Sequence, residues 1–324
     1  MIRMKTEIRP LWKDVLAAIW LGMILPGIVL HICVLVQRNG SHQQLEEIPS
    51  QDQVFRYVLL QKDGTLEQIE INRYLTGVVL AEMPAAFEPD ALKAQVVAAR
   101  TYTMKADLKG GKHGAGVLCD ASGCCQGYVS TEEYLAGGGT PENLEKVKAA
   151  VMETDSLVLE YEGELIEAVY FSSSGGKTES ALEVWGADFP YLQSVESPGE
   201  EAANYENRSL IMDAGLFWEN LGIPMPDDPE DWFSDVAYTD GGGVAHITIG
   251  GRKFSGTQLR ETLGLPSTVF TMTTDGRNVI ISTNGYGHRV GLSQYGANAM
   301  AKAGSSFQEI LSHYYPGTKL GFRE

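Results

Sequence analysis

Basic residues are scarce in this chain: 25 Lys and Arg stand against 42 Asp and Glu, a formal net charge of −17. Such an acidic chain repels nucleic acid phosphates, so no nucleic acid partner is expected. Cysteine is scarcer still. Of 324 residues only Cys33, Cys119, Cys124 and Cys125 carry a thiol. A disulfide-stapled secreted fold spreads its cysteines along the chain; here three fall within seven residues, which points to one local site. No internal repeat is found. What remains is ordinary globular composition, 44% hydrophobic and 21% charged, enough for one large domain or two small ones.

One long apolar run is present. Val15 to Val36 is a 22-residue stretch with His31 as its only ionisable group besides the Cys33 thiol. About 20 apolar residues cross a bilayer as a helix. Arg3, Lys5, Arg9 and Lys13 precede the run and only Arg38 follows closely, so the amino terminus is expected to stay in the cytoplasm. A cleavable signal peptide is the competing reading, against which stand the length of the run and the lack of a clean A-x-A site. The expected organisation is therefore a cytoplasmic segment over 1–14, a transmembrane anchor over 15–36, a polar linker over 37–53, and an extracytoplasmic domain over 54–324.

Residues 54–71 alternate as two strands about the turn Lys62-Asp63-Gly64. Arg73 to Met83 is apolar at helical spacing and stops at Pro84. From about Asp90 to Ala106 an alanine-rich helix is expected, with Asp90 as its cap. Thr140-Pro141 opens another helix. Leu157–Tyr161 and Leu165–Phe171 suggest a hairpin across Glu162-Gly163. A helix near Asp213–Leu221, strands near 234–239, 244–249 and 278–283, and two helices over Ser293–Tyr315 complete the reading. Separate helices and hairpins argue for an α+β fold.

Three stretches carry chemistry. In the first, residues 73–106, Glu82 ends an apolar helix before Met83-Pro84. A partly desolvated carboxyl there has a raised pKa, as a proton donor near neutral pH requires. Lys93 and Arg100, seven apart, share one face of the following helix, either as a solvated edge or as the wall of an anion-binding groove. The second, VYFSSSGGKTESALEVWG over 169–186, is rich in hydroxyls and backbone donors, suited to sugar binding or equally to a flexible turn. In the third, residues 284–315, glycines at 285, 287 and 291 permit positive φ and hold His288 on a turn.

The run from Tyr74 to Ala106, with A-E-M-P followed by A-L-K-A-Q-V-V-A-A-R-T-Y, resembles the amino-terminal signature of the stage II sporulation protein D (SpoIID) family. The third stretch is similar to that family's G-x-G-H-G-V-G-M-S-Q-Y-G-A, departing at Arg289, where Gly is common, and at Leu292, where Met is common. The resemblance implies that Glu82 is the catalytic glutamate. It implies that Lys93, Gln95 and Arg100 line a glycan groove in an elongated domain. Tyr170, Ser173, Lys177 and Thr178 are the substrate contacts expected of the second stretch, His288 and Gln294 of the third.

The loop over 112–128 offers His113, Cys119, Cys124 and Cys125. An imidazole and thiolates at short spacing suit zinc; a disulfide from Cys119 to Cys124 or Cys125 is the alternative, a vicinal bond being strained. Some members of the resembling family carry zinc near the active site. On that resemblance Zn2+ is held by His113, Cys119 and Cys125, with Cys124 spare, in a structural or substrate-positioning role.

Most glycosidases use two carboxylates, and only Glu82 is a convincing candidate, since Glu88 lies in a loop and Asp90 is assigned to a cap. The resemblance implies a lytic transglycosylase acting on denuded peptidoglycan glycan strands, which needs one acid and no water. It also implies a peptide-stripping amidase and a membrane scaffold as partners during engulfment, and a place in the mother-cell membrane facing the intermembrane space. Two other classes stay open: a non-catalytic wall-binding protein like the related amidase enhancers, though no wall-binding repeats are found in this chain, and a zinc hydrolase.

Overall fold

The computed structural model describes residues 57–108, 112–114, 116–203, 205 and 207–323. The expected cytoplasmic segment, anchor and linker lie outside the described residues. Among the described residues no helix is long and apolar enough to cross a membrane.

The chain opens with an antiparallel pair, β1 (Tyr57–Lys62) and β2 (Thr65–Glu70). Asp63 and Gly64 both take positive φ at their turn, the combination a tight two-residue hairpin loop demands. Helix α1 (Ile71–Glu82) follows at once, its first turn capped by Glu70, whose carboxylate accepts from the Arg73 N–H at 2.9 Å. Pro84 disfavours helical backbone at Met83, which is extended, and α1 ends. Pro89 then opens α2 (Pro89–Leu108).

Helix α2 is buried on nearly every side. Leu92, Val96 and Ala99 join a core with α1, with β3 (Val117–Cys119) and with α4 (Pro141–Glu153). Ala91, Ala94, Val97 and Ala98 join a second core with β4 (Leu157–Tyr161) and the carboxyl-terminal helices. With neighbours on nearly every side, α2 runs through the inside of the protein, and its alanines let those neighbours approach closely. Strand β3 pairs parallel to β1, setting Cys119 beside Gln61. Between β3 and α4 lies a short helix not among those expected, α3 (Thr131–Ala136), opened by a Ser130/Glu133 capping box. Thr140 and Pro141 start α4 as expected.

The expected hairpin after Glu162-Gly163 is corrected in its second arm. Only Glu164–Leu165 (β5) pairs with β4; the chain then leaves the sheet, and Tyr170–Phe171 (β6) pairs instead with Leu292–Ser293 (β13), in parallel. After α5 (Ala181–Trp185), residues 208–284 build a third core. It holds β7 (Arg208–Asp213), α6 (Ala214–Leu221), β8 (Phe233–Tyr238), β9 (Val244–Ile249), β10 (Arg252–Ser255), α7 (Gly256–Leu263), β11 (Val269–Thr274) and β12 (Asn278–Asn284). Its two three-stranded antiparallel sheets run β11-β12-β7 and β10-β9-β8. Helices α8 (Gln294–Lys302) and α9 (Phe307–Tyr314) and strand β14 (Lys319–Phe322), paired with β4, finish the second core. The architecture is mixed α and β.

Asp90 does not cap its own helix. Its carboxylate accepts the Phe307 N–H at 3.1 Å, so it fastens the start of α9 to α2.

Candidate functional site

Glu82 is the last residue of α1 and is partly buried. Burial raises its pKa above the ordinary carboxyl value, while one hydrogen bond, from the Gly127 N–H to Oε1 at 2.5 Å, pulls it down. Among the described residues no ion pair reaches Glu82, so no cation holds it deprotonated. Gly127 is glycine for a steric reason: a Cβ there would stand 2.9 Å from Glu82 Oε1.

Gln126, next in the chain, is buried and bonded on three sides. Its Nε2 donates to Thr103 Oγ1 at 2.9 Å and to the Tyr74 hydroxyl at 3.2 Å, and its Oε1 accepts from the Tyr170 hydroxyl at 2.9 Å. Segment 126–127 is thereby tied to α1, α2 and β6. Burial, and after it the nearby Glu82 charge, hold the Tyr170 phenol well above its ordinary pKa, so it stays a neutral donor. The Tyr170 backbone also bonds His288. Burial first, then the charge of Arg260, lower His288 to about 4; it is neutral at pH 7. Its Nδ1 accepts from the Val290 N–H at 3.2 Å, and its ring lies 5.2 Å from that of Trp185 and 5.7 Å from that of Phe171. Trp185 is 47% exposed. Glu82, Tyr170, His288 and Trp185 thus follow one another; the β6–β13 pairing joins the second and third chemical stretches, and Gln126, bonded to Tyr74, Thr103 and Tyr170, links them to the first. Gln126 and Gly127 were not singled out in the sequence, where a Gln-Gly pair directly after the cysteines was their available signal; Trp185 belongs to the Val-Trp-Gly element that ends the second stretch.

Several expected groove residues sit elsewhere. Arg100 is 2% exposed, and its guanidinium donates to the carbonyls of Val151, Thr154 and Leu157 and to Asn72 Oδ1. It satisfies the carboxyl end of α4, where carbonyls lack helical partners and the helix dipole favours a cation. Lys93 pairs with Glu153 at that same end, at 2.6 Å. The two do share a face of α2, but α4 covers it. Gln95 is fully buried and neither of its amide atoms has a hydrogen-bond partner; Gln294 is buried with its Nε2 likewise unpaired.

The serine loop is rich in donors, as expected, yet they turn inward. Glu200, buried, accepts from Ser173 Oγ (2.7 Å), the Ser174 N–H (2.6 Å), Ser174 Oγ (2.8 Å), Ser197 Oγ (2.5 Å) and Ser293 Oγ (2.7 Å). A buried carboxylate needs such a nest. Thr178 is also buried, accepting from the Val195 N–H at 2.8 Å. Lys177 remains part-exposed, 3.7 Å from Glu196. Arg289 turns away from solvent into a buried ion pair with Glu179 at 3.0 Å and bonds the carbonyls of Ser174, Lys177 and Gly241. Its φ of 68° explains why glycine suits that position.

His113, Cys119, Cys124 and Cys125 present ligand atoms that all lie within 4.8 Å of one another. Cys124 Sγ is 3.3 Å from His113 Nε2, and the three thiols are free. Burial pushes Cys119 up, but hydrogen bonds from Ala121, Cys124, Cys125 and His113 outweigh it and bring the thiol to about 7. Burial pushes Cys125 up to about 12. An N/S donor set gathered this closely fits zinc.

Fold and site together define a mixed α and β protein built around one helix-end carboxyl with a Cys/His cluster behind it. The chain belongs to the stage II sporulation protein D family. A family model described as Stage II sporulation protein (SpoIID) matches residues 61–161. The chain is 36% identical over 289 residues to stage II sporulation protein D of Bacillus amyloliquefaciens, covering 88% of this chain and 82% of that one. It is 37% identical over 260 residues to stage II sporulation protein D of Bacillus subtilis, covering 79% and 76%. Similarity extends at 31% identity over 299 residues to the amidase enhancer of Bacillus subtilis, across 76% of this chain and 40% of that protein.

Proposed function

We propose that this chain cleaves peptidoglycan glycan strands as a lytic transglycosylase during sporulation engulfment. In this reading it is anchored by residues 15–36 with the domain outside the cytoplasm, in the mother-cell membrane facing the intermembrane space. Family membership supports a role in sporulation and the cell wall. The observation that carries the enzymatic reading is Glu82: a partly buried carboxyl with a raised pKa, one N–H donor and no paired cation among the described residues.

Protonated Glu82 gives its proton to the oxygen bridging N-acetylmuramic acid and N-acetylglucosamine, and the bond from that oxygen to C1 breaks. The Glu82 carboxylate then takes the proton of the muramic C6 hydroxyl as O6 bonds to C1. A 1,6-anhydro end forms, no water is consumed, and no second carboxylate is needed. Neutral Tyr170 beside it, and neutral His288 bonded to the Tyr170 backbone, leave the acid without a competing charge. With Lys93 and Arg100 committed to α4, Lys177 is the surface cation of the three for a lactyl carboxylate. Zinc held by His113, Cys119 and Cys125 would supply loop rigidity. A peptide-stripping amidase and a membrane scaffold are the proposed partners.

Mass spectrometry of products from denuded glycan tests this: anhydro ends are expected. Reducing ends would replace the mechanism with hydrolysis. Intact glycan, with stimulation of an added amidase, would favour the second reading, a non-catalytic enhancer, which the 31% identity to an amidase enhancer supports.

A further inference from the structure

We propose that Cys124 is a fourth ligand, so that this chain holds its metal in a closed Cys3His shell whose task is to clasp Gly127 against Glu82. The inference rests on the metal reading above and extends it to a thiol so far counted as spare.

Zn–S and Zn–N bonds of about 2.3 and 2.0 Å put tetrahedral ligand atoms roughly 3.3–3.8 Å apart. All four atoms here already lie within 4.8 Å of one another, and the Cys124–His113 contact, at 3.3 Å, is at the short end of that range. Adjacent side chains on an extended strand point to opposite faces. Cys124 and Cys125 escape that constraint because both their N–H groups bond the Ala121 carbonyl at 2.9 Å, folding the segment into a turn. A closed shell leaves no position for an activated water, which removes the hydrolase reading and makes the site structural.

What it holds is set by chain order. Cys125 is followed by Gln126, which is bonded to three elements, and by Gly127, whose N–H meets Glu82. The metal fastens the outer end of this segment as Gln126 fastens the inner.

The test uses the full-length chain loaded with Co(II) or Zn(II). Cys124→Ser should weaken metal binding by at least the roughly 10–100-fold that losing an outer-shell partner costs, and the cobalt charge-transfer band should lose one thiolate's share. Cys124→Asp, which keeps a ligand, should retain the metal while losing the same share of the band, so a folding failure of the serine variant leaves the question answerable. Chelation should also strip hydrogen-exchange protection from the Gly127 amide. Unchanged affinity and spectrum in both variants would overturn the fourth ligand. Persistent Gly127 protection in the metal-free chain would overturn the clasp. Failure of the parent to take up either metal, with a disulfide found by thiol counting, would remove the metal reading itself. None of these measurements depends on glycan cleavage.

Discussion

At the scale of single residues, the site turns on a carboxyl and the glycine that touches it. Glu82→Gln keeps an oxygen for the Gly127 N–H but has no proton to give, so glycan cleavage should vanish while the circular dichroism spectrum stays that of the parent. The raised pKa has a defined sign. Glu82 titrates higher in the folded chain than its ordinary 4.5, so ionising it costs stability once pH exceeds the folded value, and nothing below the unfolded one. The glutamine variant should therefore melt no lower than the parent at neutral pH, and the parent's activity should fall as pH rises through the folded pKa. A lower melting temperature for the variant would contradict the burial argument. Gly127→Ala is the companion change. Its backbone is not in the left-handed region, so the added methyl strains only the approach to Glu82 Oε1. It should shift the basic limb of the pH–rate profile while leaving stability nearly unchanged.

At the scale of elements, the basic residues that looked like a groove wall are fastenings. Arg100 holds the carboxyl end of α4 through the Val151 and Thr154 carbonyls, and the start of β4 through that of Leu157. Arg100→Met should remove the charged donor from these carbonyls, leaving Thr154 only the Leu157 N–H and Val151 only the Thr154 hydroxyl, and destabilise the fold by about 1–3 kcal/mol, read as a loss in urea midpoint with glycan affinity preserved in whatever remains folded. Arg289→Gly should be worse. It strands Glu179 in a buried site, at a cost of about 3–5 kcal/mol, and adding Glu179→Gln should recover part of it by removing the orphaned charge. The left-handed backbone of Arg289 shows how an element tolerates such a residue: several buried hydrogen bonds and an ion pair offset the strain.

At the scale of the whole molecule, residues distant in sequence share one core. The alanine face of α2 is covered by α8 and α9, and β14 closes the sheet beside β4. The family match spans residues 61–161, yet that segment cannot bury its own face. A chain ending at Asn284 should therefore lack a cooperative thermal transition and be digested by trypsin at limiting protease, whereas the full chain resists. A sharp melt from the truncated chain would show that the two cores are separable.

The sequence by itself determined what is local. Pro84 stops α1 just after Glu82, Thr140-Pro141 starts α4, and Asp63-Gly64 turns the first hairpin, because dihedral limits and capping act within a few residues. It also determined the Cys/His loop, whose members are near neighbours in the chain. Strands β7, β10, β11 and β14, helix α7 and the far arm of the hairpin were not legible, since short edge elements are chosen by the partners they pair with. Partnering likewise decided the fate of the polar residues. Ser173 and Arg100 carry groups equally fit for a sugar or for a buried carboxylate and helix end; only the tertiary structure brought Glu200 to the serines and the end of α4 to the arginine, because burying those charges without hydrogen-bond partners would cost more than the chain's net stability allows.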